Sequence, residues 1–75
     1  MNKKRRKLLG DANELIKQAV GIVEKVVDEE QEVVDNVPAN LQESERYSDM
    51  EDALGTLEDL CDDLNDITER IEGLV

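Results

Sequence analysis

The residues of this chain that could perform chemistry are mainly four closely spaced aspartates. They are Asp59, Asp62, Asp63 and Asp66. On a helix, carboxylates three and four residues apart share one side and could hold Mg²⁺ or Ca²⁺ weakly. A calcium-binding loop, however, needs ligands at alternating positions and a central glycine, whereas leucine and cysteine occupy the alternating positions here. We therefore predict no metal site and no cofactor, and interpret the aspartates as part of a solvated acidic surface.

Cys61 is the one nucleophilic thiol, and the chain has no histidine that could activate it. Acidic neighbours raise the pKa of a thiol and so reduce its reactivity. The position of Cys61 on an apolar helical face is typical of a buried thiol that behaves as a small hydrophobic group. A pair of helices is also expected to lack a concave pocket of useful size. We predict that the protein is not an enzyme.

The single cysteine also excludes an internal disulfide, which is typical of a reducing compartment. The basic start resembles the first part of a signal peptide, but only two leucines follow it before Gly10. No apolar run approaches the roughly 20 residues that cross a bilayer. We expect a cytoplasmic protein that does not bind membranes.

The acidic surface of the second half has two interpretations. Nine carboxylates and one cation lie between Glu51 and Glu72, along roughly 32 Å if the segment is helical. Their spacing is close to the ~3.4 Å between phosphates of one DNA strand. The surface is therefore either an ordinary solvated face or a mimic of nucleic-acid phosphates that binds a basic host protein. The candidate partner-binding face consists of Asp59, Asp62, Asp63, Asp66 and Glu69.

The apolar residues of the second half have helical spacing. With Tyr47 at position a of a heptad, the a and d positions are Tyr47, Met50, Leu54, Leu57, Cys61, Leu64, Thr68, Ile71 and Val75. The g positions are Ala53, Leu60, Ile67 and Leu74. This pattern predicts a helix with an apolar face three positions wide.

The first half has helical spacing as well. Its main stripe is Leu8, Ala12, Leu15, Ala19, Ile22 and Val26, widened by Leu9, Ile16 and Val23 on one side and by Val20 and Val27 on the other. A polar run, residues 28–32, interrupts the stripe before the valines at 33, 34 and 37. Pro38 then ends the helix, since proline cannot continue it and disfavours helical geometry in the preceding residue.

These elements predict an all-α fold, an antiparallel two-helix hairpin in a single domain of residues 1–75. Helix 1 is expected at about 3–36, the loop at 37–43 and helix 2 at about 44–73, with Leu15 opposite Ile67 and Ile22 opposite Leu60. One seam leaves part of such wide stripes exposed, so we predict a homodimer that forms a four-helix bundle. The candidate self-association residues are Val20, Val27, Leu57, Leu60, Leu64 and Ile67.

Five cations between Lys3 and Lys7 contrast with a formal net charge of −11, and the remaining chain carries about −16. Cations at a helix start oppose the helix dipole. We expect Glu69 and Glu72 on the adjacent helix end to neutralise them. A nucleic-acid-binding arm is the alternative.

The stretch Asp28 to Ala53, DEEQEVVDNVPANLQESERYSDMEDA, resembles a segment of small, uncharacterised acidic helical proteins of Gram-positive bacteria, phages and mobile elements. The loop and the start of helix 2, NVPANLQESER, are its most distinctive part. The resemblance implies a helical hairpin and an origin in a phage or mobile element. It implies no catalytic residue.

Together these observations favour a non-enzymatic, self-associating protein–protein interaction module. The alternative is an acidic nucleic-acid mimic that inhibits a host protein of the restriction or CRISPR type. A nucleic-acid binder that uses the basic start is a third hypothesis, although the strongly negative charge makes direct nucleic-acid binding unexpected.

Overall fold

A computed structural model describes all residues, Met1–Val75, as two helices packed against each other. Helix α1 is Lys3–Asp35 and helix α2 is Glu45–Glu72. The connection between them contains one 3₁₀ turn, Ala39–Leu41, and the chain has no strand. The predicted all-α class and the packing of two helices are confirmed. The helix bounds lie within one residue of the expected positions.

Side-chain caps fix both helix starts. The Asn2 Oδ1 accepts a hydrogen bond from the backbone N–H of Arg5 at 2.8 Å, and the Ser44 Oγ accepts one from that of Tyr47 at 3.2 Å. Such caps satisfy N–H groups that have no partner within the helix. Ser44 is therefore the N-terminal cap of α2.

Helix α2 turns its predicted a and d positions towards α1. Leu54 and Thr68 are buried, and Tyr47, Met50, Leu57, Cys61, Leu64 and Ile71 are half-buried. Only Val75, beyond the end of the helix, is exposed. The Thr68 hydroxyl donates a hydrogen bond to the Asn65 carbonyl at 2.8 Å, so this buried polar group is satisfied.

Helix α1 packs with a different stripe from the one that its sequence indicated. The residues it turns towards α2, which we call the inner stripe, are Leu9, Asn13, Ile16, Val20, Val23, Val27, Glu30 and Val34, all buried or half-buried. The outer stripe consists of Leu8, Ala12, Leu15, Ala19, Ile22, Val26 and Val33. Its large side chains are exposed, with Leu15 at 67% and Ile22 at 66%. The prediction that the outer stripe forms the seam is wrong. From Leu8 to Ile22, every second member of the outer stripe is an alanine. Alanines facing α2 would leave gaps in a close-packed seam.

The register of the two helices also differs from the predicted one. The Lys17 ammonium lies 2.8 Å from the Glu72 carboxylate, so the end of α2 lies beside Lys17. The predicted register placed residues near 65 there, close to one heptad away. A groove lined by Val27 and Cys61 shows the same shift near the middle of the hairpin.

As a consequence, the start of α1 extends past the end of α2. Fourteen residues separate Lys3 from Lys17, which corresponds to about 21 Å of helix. Residues 3–8, which precede the inner stripe, are all exposed, and we call them the overhang. The expected pairing of the basic start with Glu69 and Glu72 is wrong, because Glu72 binds Lys17 instead and the one ion pair of the basic start is Lys7–Asp11 within α1.

Candidate functional site: an exposed apolar face

The two long edges of the hairpin differ in polarity. In an antiparallel pair, e positions of one helix lie beside e positions of the other, and g positions beside g positions. In α1 we assign Val20 and Val27 to position a, and in α2 we keep Tyr47 at a. Lys17 and Glu72, which form an ion pair, are then both at e positions. The other residues of this edge are Gly10, Glu24, Gln31, Glu51, Glu58 and Asn65. This edge is therefore polar over its whole length.

The opposite edge is apolar and exposed. It combines the outer stripe of α1 with the g positions of α2, Ala53, Leu60, Ile67 and Leu74, and we call the whole surface the apolar face. Leu60 and Ile67 are 45% and 39% exposed. The face extends along the hairpin from Leu8 at one end to Val33 at the other. The polar residues 28–32 interrupt the face on α1 before Val33, but monomeric proteins seldom expose so many large apolar side chains on one side.

The candidate self-association residues divide between the seam and the apolar face. Val20 is only 7% exposed and Val27 is half-buried, so the prediction that they lie outside the first seam is wrong. Leu57 and Leu64 also pack within the seam. Leu60 and Ile67 do lie on the surface, as members of the apolar face. Leu15 and Ile22 are exposed members of the apolar face that the sequence analysis did not include among the self-association residues. Their regular heptad spacing had instead placed them in the seam.

Most of the candidate acidic face lies on the outer side of α2, and Asp62 lies beside the groove that Val27 and Cys61 line. The members of this face, Asp59, Asp62, Asp63, Asp66 and Glu69, are all exposed. One cation is nearby, the Arg70 guanidinium, which lies 3.9 Å from the Asp66 carboxylate. No three cysteine or carboxylate side chains of the chain converge as a metal site requires. The acidic face is therefore a surface of largely uncompensated negative charge.

Two titratable sites have shifted pKa values. A hydrogen bond and the positive charge of Lys17 lower the pKa of Glu72, and the same contact raises the pKa of Lys17. Partial burial raises the pKa of the Cys61 thiol, and nearby carboxylates, chiefly that of Glu24, raise it further. The thiol is thus protonated at neutral pH and is a poor nucleophile.

Asn13 is a buried polar residue that the sequence pattern did not single out. It is 4% exposed, and its Oδ1 has no hydrogen-bond partner. An unsatisfied buried oxygen costs about 1–3 kcal/mol. Asn13 occupies the same heptad position as Val20, Val27 and Val34. This spacing is the sequence signal that places it in the seam. A hydrogen bond from the Asn13 side chain contributes to the lowered pKa of Glu72, so only the oxygen of this amide lacks a partner.

The connection between the helices forms an open groove of about 500 Å³, contrary to the expectation that the hairpin has no concavity of useful size. Its apolar lining comes from Val33, Val37, Leu41, Tyr47 and Met50, with Arg46 at its rim. Most of these residues belong to the end of α1 or the start of α2. The groove has no pair of groups with the geometry of a nucleophile and its base.

No helix of the chain combines the length and the apolar composition that crossing a membrane requires. The chain matches no protein-family model, no curated protein and no solved structure.

Proposed function

We propose that this protein is a non-enzymatic protein–protein interaction module that works as a homodimer. The observation that carries the proposal is the apolar face, in which two-thirds of Leu15 and of Ile22 remain in water. Burying an apolar side chain of this size contributes about 1.5–3 kcal/mol. A hairpin that leaves such side chains along its whole length in water has a strong driving force to associate.

A second copy is a suitable partner because the outer stripe has the four-and-three spacing of a helix–helix seam. A two-fold dimer uses the same surface on both copies, so one apolar face is sufficient for both sides of the interface. Two hairpins joined in this way form a four-helix bundle. The resemblance of residues 28–53 to proteins of phages and mobile elements supports an origin of that kind.

Sedimentation equilibrium between about 1 and 100 μM tests the proposal, a range that covers micromolar dissociation constants. The expected result is a reversible shift from 8.5 kDa at low concentration to twice that mass at high concentration. Interference optics suit the measurement because the chain has one tyrosine and no tryptophan. A single 8.5 kDa species at every concentration would reject the homodimer.

An acidic mimic of nucleic acid is a second candidate, favoured by the five exposed carboxylates of the acidic face. Changing Asp59, Asp62, Asp63 and Asp66 to asparagine should abolish binding to a basic partner from the native host and leave the dimer intact. A matched control removes four exposed acids outside the acidic face and outside the end of α1: Glu43→Gln, Asp49→Asn, Glu51→Gln and Asp52→Asn. Equal loss of binding in both variants would indicate a general charge effect, and unchanged binding in both would reject mimicry.

A further inference from the structure

The charges of α1 are separated along its length. Its first turns carry the five cations Lys3–Lys7, and its last two turns carry Asp28, Glu29, Glu30, Glu32 and Asp35. Among the cations, only Lys7 has a carboxylate within ion-pair distance, and that carboxylate belongs to α1 itself. Because the overhang extends past α2, no carboxylate of α2 forms an ion pair with the basic end. Four of the five cations of the basic end therefore have no ion-pair partner within their own hairpin.

The outer stripe runs along α1 from the basic end to the acidic end. If a second copy covers it with its own outer stripe, the two α1 helices are either parallel or antiparallel. If both α1 helices run the same way, two basic ends lie side by side and two acidic ends lie side by side. If they run in opposite directions, each basic end lies beside an acidic end. Exposed charges interact over about 10 Å at moderate salt, which is the separation of packed helices.

The outer stripe is also complementary to itself when it is reversed. The antiparallel arrangement sets Leu8 against the partner's Val33, Leu15 against the partner's Val26, and Ile22 against the partner's Ala19. Each pair then combines a larger side chain with a smaller one, which favours interdigitation. The parallel arrangement sets each residue against its own copy and so stacks leucine on leucine and alanine on alanine.

We propose that the homodimer is built on an antiparallel contact between the two α1 helices, in which the overhang of each copy lies beside the acidic end of α1 in the other. This inference rests on the proposed self-association and adds its direction and its electrostatic basis. It gives the overhang a role as an intermolecular clamp. It also explains why the basic residues lie where their own α2 does not reach.

Distances between spin labels test the arrangement, with one label on each chain. The first variant carries Lys4→Cys and Cys61→Ala, so that its label sits on the overhang. The second carries Lys25→Cys and Cys61→Ala, and serves as the control because residue 25 lies near the middle of the dimer in both arrangements. Both labelled positions are exposed, so neither label should disturb folding.

In the antiparallel dimer the two Lys4 labels should be about 50 Å apart, the length of the 33 residues of α1 at 1.5 Å each. The control labels should be less than about 30 Å apart, since both lie within a few helical turns of the dimer centre. Short distances for both variants would overturn the antiparallel arrangement and leave the homodimer standing. The absence of any intermolecular distance in the control, in a protein shown to be folded by circular dichroism, would reject the homodimer itself.

Discussion

Ile22→Gln should weaken the homodimer without unfolding the hairpin. Ile22 is 66% exposed, so about two-thirds of its burial energy is still to be gained on association. Full burial of an isoleucine contributes about 1.5–3 kcal/mol, which leaves about 1–2 kcal/mol for each copy. A two-fold dimer contains the substitution twice, and the loss is then about 2–4 kcal/mol. This corresponds to a dissociation constant roughly 30- to 700-fold higher.

The hairpin itself should tolerate this substitution. Glutamine is a good helix former, and surface changes usually alter the free energy of unfolding by less than about 0.5 kcal/mol. Lys25→Gln is the matched control, because it introduces the same residue on α1 outside the apolar face. Sedimentation equilibrium gives the dissociation constants, and circular dichroism at a concentration below them gives monomer stability. A dissociation constant for Ile22→Gln within twofold of that of the control would refute the assignment of the apolar face.

Three further predictions concern the hairpin. Leu54→Ala removes a buried side chain of the seam and should lower the free energy of unfolding by about 2–4 kcal/mol, measured by urea titration; a change below 1 kcal/mol would argue against this seam. Gly21→Ala should raise the free energy of unfolding by about 1 kcal/mol, because a methyl group there meets no atom within 4 Å, and a lower melting temperature would contradict this. Lys17 lowers the pKa of Glu72, so the pair stabilises the fold above the unfolded pKa of about 4.3 and loses this effect as pH falls through the folded pKa. Glu72→Gln should therefore lower the melting temperature at pH 7 but not at pH 3, and equal shifts at both pH values would count against the pair.

The seam of α2 could be predicted from the sequence because α2 offers a single choice. Its a, d and g positions form one apolar arc of about 120° at 100° per residue, and every other position is largely polar. The d positions lie at the centre of this arc, with the a positions on one side and the g positions on the other. The break at Pro38 follows from equally local chemistry. Such features depend on neighbours in the sequence and not on the rest of the fold.

The seam of α1 and the register could not be predicted in the same way, because α1 carries two adjacent stripes with the same spacing. The outer stripe has Leu15 and Ile22, whereas the inner stripe includes the polar residues Asn13 and Glu30. Hydrophobicity alone therefore favours the outer stripe. Packing favours the inner one, since its positions from Ile16 to Val27 are all isoleucine or valine and fill the space beside α2 evenly. The stripe of α1 that faces α2 also determines the register of the two helices. An error in the predicted stripe therefore leads to an error in the predicted register.

The two stripes have a consequence for the arrangement of a four-helix bundle. On α1 the inner and outer stripes together form an apolar arc of about 160°, wide enough for two neighbouring helices. On α2 the position next to g is polar, as at Asp49 and Asp63, so α2 has an apolar surface for one neighbour and little more. The two α1 helices should therefore contact each other at the centre of the bundle, with each α2 on the outside. Because nine carboxylates lie between Glu51 and Glu72, this order keeps the two most acidic surfaces apart and limits the repulsion that dimerisation must overcome.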